Sequence, residues 1–230
     1  MEKLKSILAT LPPPVRVLEA GGGSTTRVQI PGASYVVIDI SPEQLARNTY
    51  ADEKLLGDLQ TFDYGPARFD VALFWDVLEH LKEPGEALKR AAAAIKPNGL
   101  MVIKGPILRS LKGITTKLTP HWVHVAYYRL ILKQENAGRP GYAPFKTEHA
   151  GDADPEALAA ALETQGFQTE LYDRHITNQV DQLKRRAPPA YWLYRLLSVV
   201  IRALSGGRYG GLETDFVLVM RRPESGPKTA

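Results

Sequence analysis

The chain contains no cysteine. This excludes disulfides, cysteine-ligated zinc and a thiol nucleophile, and it fits a reducing compartment such as the cytoplasm. Also missing is any run of about 20 apolar residues, the length a membrane-spanning helix needs. The first eleven residues hold one short apolar stretch, Ile7 to Leu11 with Thr10 inside it, before Pro12-Pro13-Pro14. No secretory signal is read there. Internal repeats and low-complexity tracts are absent. The chain does have 230 residues, 44% hydrophobic and 23% charged. That is the balance of an ordinary globular domain, long enough to bury its own core. One domain over residues 1–230 with an insertion is expected.

Acidic residues are scarce in two places. Residues 104–139 carry seven Lys/Arg and one acid, and residues 184–230 carry nine and three, within a net charge of +4. Two basic stretches on an acidic body suggest an anionic partner: phospholipid, phosphate or nucleic acid. Long aliphatic residues interleave the basic ones, which favours a membrane surface over RNA or DNA. Scattered solvated charge is the bland alternative.

Short apolar runs alternate with helical patterns along the first half. Val15 to Glu19, Tyr35 to Asp39, Lys54 to Leu56, Phe69 to Phe74 and Leu100 to Lys104 read as strands. Ser24-Thr25-Thr26 is expected to open a short helix. Ser41-Pro42-Glu43 starts another, with Ser41 as cap and Pro42 in the first turn. Pro84 to Ile95 is helical and stops at Pro97-Asn98-Gly99. The second half has helix candidates at Pro120–Gln134, 156–165 after Asp154-Pro155, and Ala190–Leu204. Its strands are expected at Phe167–Tyr172 and Asp215–Met220. Such alternation means βαβ units and a buried parallel sheet.

The first strand ends in Glu19 and runs into Gly21-Gly22-Gly23. Glycines in that turn let the backbone approach a ligand and take positive φ. Asp39, twenty residues on, ends the next strand, where a carboxylate can hold both hydroxyls of a ribose. A dinucleotide fingerprint would need glycine at position 26, which is Thr26. Glu19 also puts negative charge where a pyrophosphate would sit. The pattern therefore suits a nucleoside with a cationic group, and S-adenosylmethionine is one.

Five segments in order resemble the class I S-adenosylmethionine-dependent methyltransferases. Leu18-Glu19-Ala20-Gly21-Gly22-Gly23 resembles their first motif, and Ile38-Asp39-Ile40-Ser41 their ribose-binding motif. Gly57-Asp58-Leu59 is similar to their adenine-contacting segment. Phe69 to Leu81, containing Trp75-Asp76-Val77-Leu78-Glu79-His80, resembles their fourth-strand signature. Ile95 to Leu100 resembles the turn into their fifth strand. The likeness covers about residues 15–105 and extends to small-molecule and ubiquinone-biosynthesis O-methyltransferases. It implies a doubly wound Rossmann-like sheet of seven strands, mostly parallel with the last antiparallel. It also implies S-adenosylmethionine as cofactor. Glu19, Gly21 and Gly23 would cradle the amino acid part. Asp39 and Ile40 would lie at the ribose and Asp58 at the adenine, with Leu59 and Trp75 bordering that pocket.

Methylation of a hydroxyl needs a base near neutral pKa. His80 and His149 are the candidates, ahead of His121, His124 and His175. Asp76, Glu79 and His80 would share a face of a helical turn and, with a later histidine, hold a divalent cation; that cluster resembles the one in metal-dependent RNA 2′-O-methyltransferases. No bound metal is expected. Residues 106–147 are expected to form an acceptor lid. Residues 184–211 form a basic, apolar helical segment in which Arg195, Ser198 and Arg202 make one polar stripe. Such a helix lies in a membrane interface or packs on the sheet or a second chain. The expected function is O-methylation of a small hydrophobic, sugar or lipid-linked acceptor at the inner membrane face. A metal-assisted RNA 2′-O-methyltransferase, a non-catalytic nucleoside-binding or membrane-adaptor protein and a nicotinamide oxidoreductase are the rivals.

Overall fold

A computed structural model describes residues 1–130, 133–148 and 153–224. Its strands are β1 (Arg16–Ala20), β2 (Ser34–Asp39), β3 (Glu53–Leu56), β4 (Phe69–Trp75), β5 (Ile95–Pro106), β6 (Gln168–His175) and β7 (Asp215–Arg221). They form one seven-stranded sheet in the order β3-β2-β1-β4-β5-β7-β6. Strands β1 to β5 pair in parallel, and β7 runs antiparallel to both its neighbours. This is the Rossmann-like arrangement expected, with the reversed last strand.

Period-2 alternation explains why the sheet carries a core on both faces. Leu18, Ala72, Phe74, Met101 and Ile103 point to one face, where Ala87, Leu88 and Ala91 of α3 (Pro84–Ala93) and Leu158 and Leu162 of α6 (Pro155–Glu163) cover them. Val17, Val71, Leu73, Leu100 and Val102 point to the other. Leu4 and Leu8 of α1 (Glu2–Leu8) cover that face with Leu11, Val15 and Val28.

That second face carries a correction. Ser24-Thr25-Thr26 opens no helix; residues 21–33 link β1 to β2 without one. Gly21 and Gly23 sit at φ +68° and +54°. The Thr26 hydroxyl donates to the Val28 carbonyl and accepts from the Val28 N–H, at 3.1 and 3.2 Å. A side chain that takes local backbone partners competes with helix formation. α1 fills the space.

The turn at Pro97-Asn98-Gly99 is present as a bulge inside β5. Phe69 pairs Ile95 and Val71 already pairs Leu100. Helix α2 (Pro42–Arg47) starts as expected, the Ser41 hydroxyl accepting from Gln44 N–H. Helix α5 (His121–Leu130) lies within the expected span. Sequence reading did not anticipate α1, α4 (Leu111–Leu118) or α7 (Asn178–Arg186), which precedes α8 (Pro188–Leu204).

Leu4 is 1% exposed. Leu4→Ala is expected to lower unfolding stability by about 2–4 kcal/mol, read by urea denaturation. A change below about 0.5 kcal/mol would mean that α1 is not part of the core.

Candidate functional site

The carboxyl ends of β1, β2 and β4 open into a cavity of about 670 Å³, walled by the β1 glycine turn, α2, residues 57–60 and residues 75–81. Open α/β sheets bind ligands at this edge. The first turn shows why it needs glycine. Gly21 N–H donates to the Ile38 carbonyl at 2.7 Å. A Cβ on Gly21 would meet Val77 Cγ2 at 2.3 Å, and one on Gly23 would meet Gln44 Oε1 at 2.1 Å. With φ positive at both, any side chain is strained as well as crowded.

Glu19 is 2% exposed. Tyr50 donates its hydroxyl to Glu19 Oε2 at 2.7 Å. Burial raises the Glu19 pKa to about 7, against the lowering effect of Tyr50, Thr26 and the Arg27 backbone. The proton is therefore held loosely near neutrality, and a cation arriving beside the carboxylate would release it. Asp39 is also buried, which pushes its carboxyl up, while the backbone N–H groups of Ser41, Gly23 and Ile40 oppose the rise. The Ser41 N–H reaches Asp39 Oδ1 at 2.8 Å.

Asp58, Leu59, Ile40 and Trp75 all line the cavity. Ile40 stands at its mouth, 72% exposed. Asp58 Oδ1 accepts from the backbone N–H and side-chain amide of Gln60, at 2.9 and 3.0 Å. Gln60 Oε1 in turn accepts from the N–H groups of Lys82 and Glu83. This ties the adenine-side loop to the chain after His80. Sequence reading missed Tyr50 and Asn48, whose amide donates to the Gly23 carbonyl at 2.7 Å and whose Oδ1 accepts from the Tyr50 and Ala51 N–H groups. Their only sequence signal was polarity just after α2.

Among the described histidines, His80 lines the cavity and His121, His124 and His175 do not. His80 Nδ1 lies 2.7 Å from the Lys146 carbonyl. A carbonyl only accepts, so Nδ1 carries hydrogen and Nε2 carries the lone pair. Burial lowers the His80 pKa, with the Lys146 carbonyl acting the other way. His124 is turned to the Thr119 and Thr116 carbonyls. His149 lies outside the described residues.

Residues 133–148 cover the cavity, with Gly141 and Phe145 on its wall. Arg47 donates to the Gly141 carbonyl and stacks on the Tyr142 ring at 4.3 Å. Phe145 packs edge-on against His80, and Glu148 N–H donates to the Glu79 carbonyl. The cover is therefore clipped at α2 and at His80.

The carboxylate–histidine convergence at Asp76, Glu79 and His80 is corrected. Residues 78–80 form one 3₁₀ turn, and Asp76 precedes it at φ +53°. Lys104 takes the place of an added cation, bridging Asp76 and Asp215. Burial raises the Asp215 carboxyl, but Lys104 and Lys112 hold it below the usual range. Glu79 points inward with Oε2 unpartnered, and burial, then Asp76, push it to about 8. Among the described residues no three His, Asp or Glu are grouped to hold a metal.

A glycine bend with buried acids at the sheet edge makes this a nucleoside-binding α/β protein. The lining suits a cationic nucleoside: its buried charges are carboxylates, and its arginine, Arg27, stands exposed. Residues 1–172 match the family model described as a methyltransferase domain, and the chain belongs to that family. A ubiquinone biosynthesis O-methyltransferase of Bradyrhizobium diazoefficiens is 56% identical over 36 residues, 16% of this chain and only 14% of that protein. Among solved structures, an S-adenosylmethionine-dependent methyltransferase from Methanosarcina mazei has TM-score 0.54 at 15% identity, covering 96% of this chain and 98% of that one. The N-methyltransferase NodS of Bradyrhizobium japonicum, in complex with S-adenosylhomocysteine, has TM-score 0.54 at 14% identity, covering 97% and 85%. The structural likenesses speak for the fold.

If an ionised Glu19 meets the ligand's ammonium, S-adenosylmethionine affinity rises with pH up to about 7, near tenfold per unit on the acid side, and then levels. Tyr50→Phe removes a donor that stabilises the carboxylate, so it moves the break to higher pH. Calorimetry from pH 5.5 to 8 checks this; a flat profile in the wild type would contradict it.

Proposed function

We propose that this methyltransferase transfers the methyl group to a hydroxyl on a small hydrophobic, sugar or lipid-linked acceptor, at a membrane surface on the cytoplasmic side, with His80 as the base. The observation that carries the proposal is the contact of His80 Nδ1 with the Lys146 carbonyl, which puts the lone pair on Nε2 of a residue lining the cavity, 4.0 Å from Glu79 Oε1. Glu19, Gly21 and Gly23 hold the amino acid part of the cofactor; Asp39 with Ile40 holds the ribose. Asp58 holds the adenine, bordered by Leu59 and Trp75. Residues 106–147 act as the acceptor lid. His149, the second candidate base, follows that lid in sequence.

S-adenosylmethionine supplies a methyl group on a sulfonium, whose carbon–sulfur bond breaks as the oxygen–carbon bond forms. The protein has to align the acceptor and remove one proton. The Lys146 carbonyl fixes the His80 ring and its tautomer. Nε2 takes the hydroxyl proton, and the low pKa set by burial keeps that nitrogen unprotonated at neutral pH. Phe145, Val77 and Leu81 offer an apolar wall for the acceptor. The short match to a ubiquinone biosynthesis O-methyltransferase supports oxygen as the methylated atom. The membrane part draws on the basic, apolar segment 184–211, since no described helix is long and apolar enough to cross a bilayer.

Two substitutions separate binding from chemistry. Asp39→Ala is expected to weaken S-adenosylmethionine binding by at least tenfold, seen by calorimetry. His80→Gln is expected to leave that binding within about threefold and lower turnover of a hydroxylated aromatic acceptor by 10²–10⁴-fold. Unchanged turnover in His80→Gln would remove His80 as the base.

A further inference from the structure

Helix α8 presents its apolar side outward. Tyr191 and Ser198 are its buried residues. Ser198 Oγ donates to the Gly211 carbonyl at 2.8 Å and accepts from Gly211 N–H at 3.0 Å. Gly210 comes so close that a Cβ there would lie 2.6 Å from the Ser198 carbonyl oxygen. The hydroxyl within the helix's polar stripe is thus spent on the protein. Meanwhile Trp192, Leu193, Leu196, Val199, Val200 and Leu204 are all exposed, Leu204 at 84%. Their spacing puts them along one side of a 17-residue helix about 25 Å long.

Within residues 184–211 the charge has one sign, while Asp181 stands in the first turn of α7 and Asp154, paired with Arg109, lines the neighbouring groove. Lys184, Arg185 and Arg186 end α7, and Arg195, Arg202 and Arg208 follow; residues 184–211 contain no acid. The Arg195 guanidinium lies 5.0 Å from the centre of the Trp192 ring, which joins a cation to an aromatic at the same edge. A second copy would bring six more cations to the same face, so self-pairing has no charge complement. An acidic surface with an apolar interior is what this face matches. At 25 Å the helix is shorter than the ~30 Å hydrocarbon core, so it would lie along a bilayer rather than cross it. The apolar surface continues past Ile201 and Leu204 into a groove of about 640 Å³ against α4, with Ile114 and Leu118 on its walls and Lys117 beside them.

We infer that α8 is a docking helix that lies in the interface of an anionic phospholipid bilayer, its apolar side among the upper acyl chains and the flanking Lys184, Arg185, Arg186 and Arg208 on the headgroups. The inference deepens the membrane part of the proposed function and rests on it for the acceptor's whereabouts. Its test does not depend on turnover.

The test is co-sedimentation of the full chain with phosphatidylcholine vesicles, with and without phosphatidylglycerol. Binding is expected on the anionic vesicles only, weakened by added salt, with a blue shift of tryptophan emission that Trp192→Phe reduces. Arg185→Gln/Arg186→Gln should lower the partition coefficient on the order of tenfold. Leu196→Glu/Val200→Glu should abolish partition; both residues are exposed, and unchanged S-adenosylmethionine affinity certifies the fold. Failure to bind anionic vesicles at low salt overturns the inference, as does undiminished binding by Leu196→Glu/Val200→Glu. A dimer lost in that variant, without vesicle binding, would reassign the face to a second copy and equally overturn it. Wild-type protein that docks on vesicles but binds no S-adenosylmethionine would defeat the enzymatic reading and leave the docking intact.

Discussion

A carboxylate taken out of water must find a partner or a proton. Glu19 is in that position at the end of β1, with Tyr50, Thr26 and the Arg27 backbone reducing the cost of ionisation without removing it. The surrounding chain is built around this charge. Gly22 has to lack a side chain because a Cβ there would lie 2.7 Å from Glu19 Cγ. Tyr50 reaches Glu19 because Asn48 holds its backbone, and Asn48 also grips the Gly23 carbonyl. Thus the bend and the acid are held by one set of contacts, and a cationic ligand supplies what that set lacks. The same logic separates this cavity from a dinucleotide site, whose pyrophosphate needs positive potential at the turn.

The cover formed by residues 133–148 is attached at two places. Arg47 clips Gly141 and Tyr142 to α2 beside the glycine turn. Lys146 orients His80, and Phe145 packs against its ring. One segment therefore both walls the cavity and fixes the His80 ring. On the far side, the Lys104 ammonium ties Asp76 to Asp215 at the junction of β4, β5 and β7. It ties down the backbone leading into His80.

The central strands were legible because β-branched runs buried on both faces read alike in any parallel sheet, and the reversed β7 followed from the family resemblance. The glycine bend, Asp39, Asp58 and His80 were legible for the same reason: each sits where a strand ends. Other features depend on contacts between distant residues. Tyr50 acts on Glu19 across 31 positions. Ser24-Thr25-Thr26 opens no helix because local Thr26 bonds and positive-φ glycines divert that chain, and α1, far from it in sequence, helps cover the sheet. Asp76, Glu79 and His80 have metal-like spacing only on an α-helical turn, and the backbone makes a 3₁₀ turn there. For α8 the polar stripe was visible but its direction was not; Ser198 faces inward because Gly210 and Gly211 leave room for the chain to return against it.

The acid-flanked bend is the proposed seat of the cofactor's amino acid part. A crystal structure with S-adenosylhomocysteine tests this most directly. The account predicts the ligand's amino group beside the Glu19 carboxylate, its ribose hydroxyls within hydrogen-bonding distance of Asp39, and its adenine between Leu59 and Trp75 near Asp58. A nucleoside bound elsewhere, or in the same cavity with its ends reversed, would contradict it.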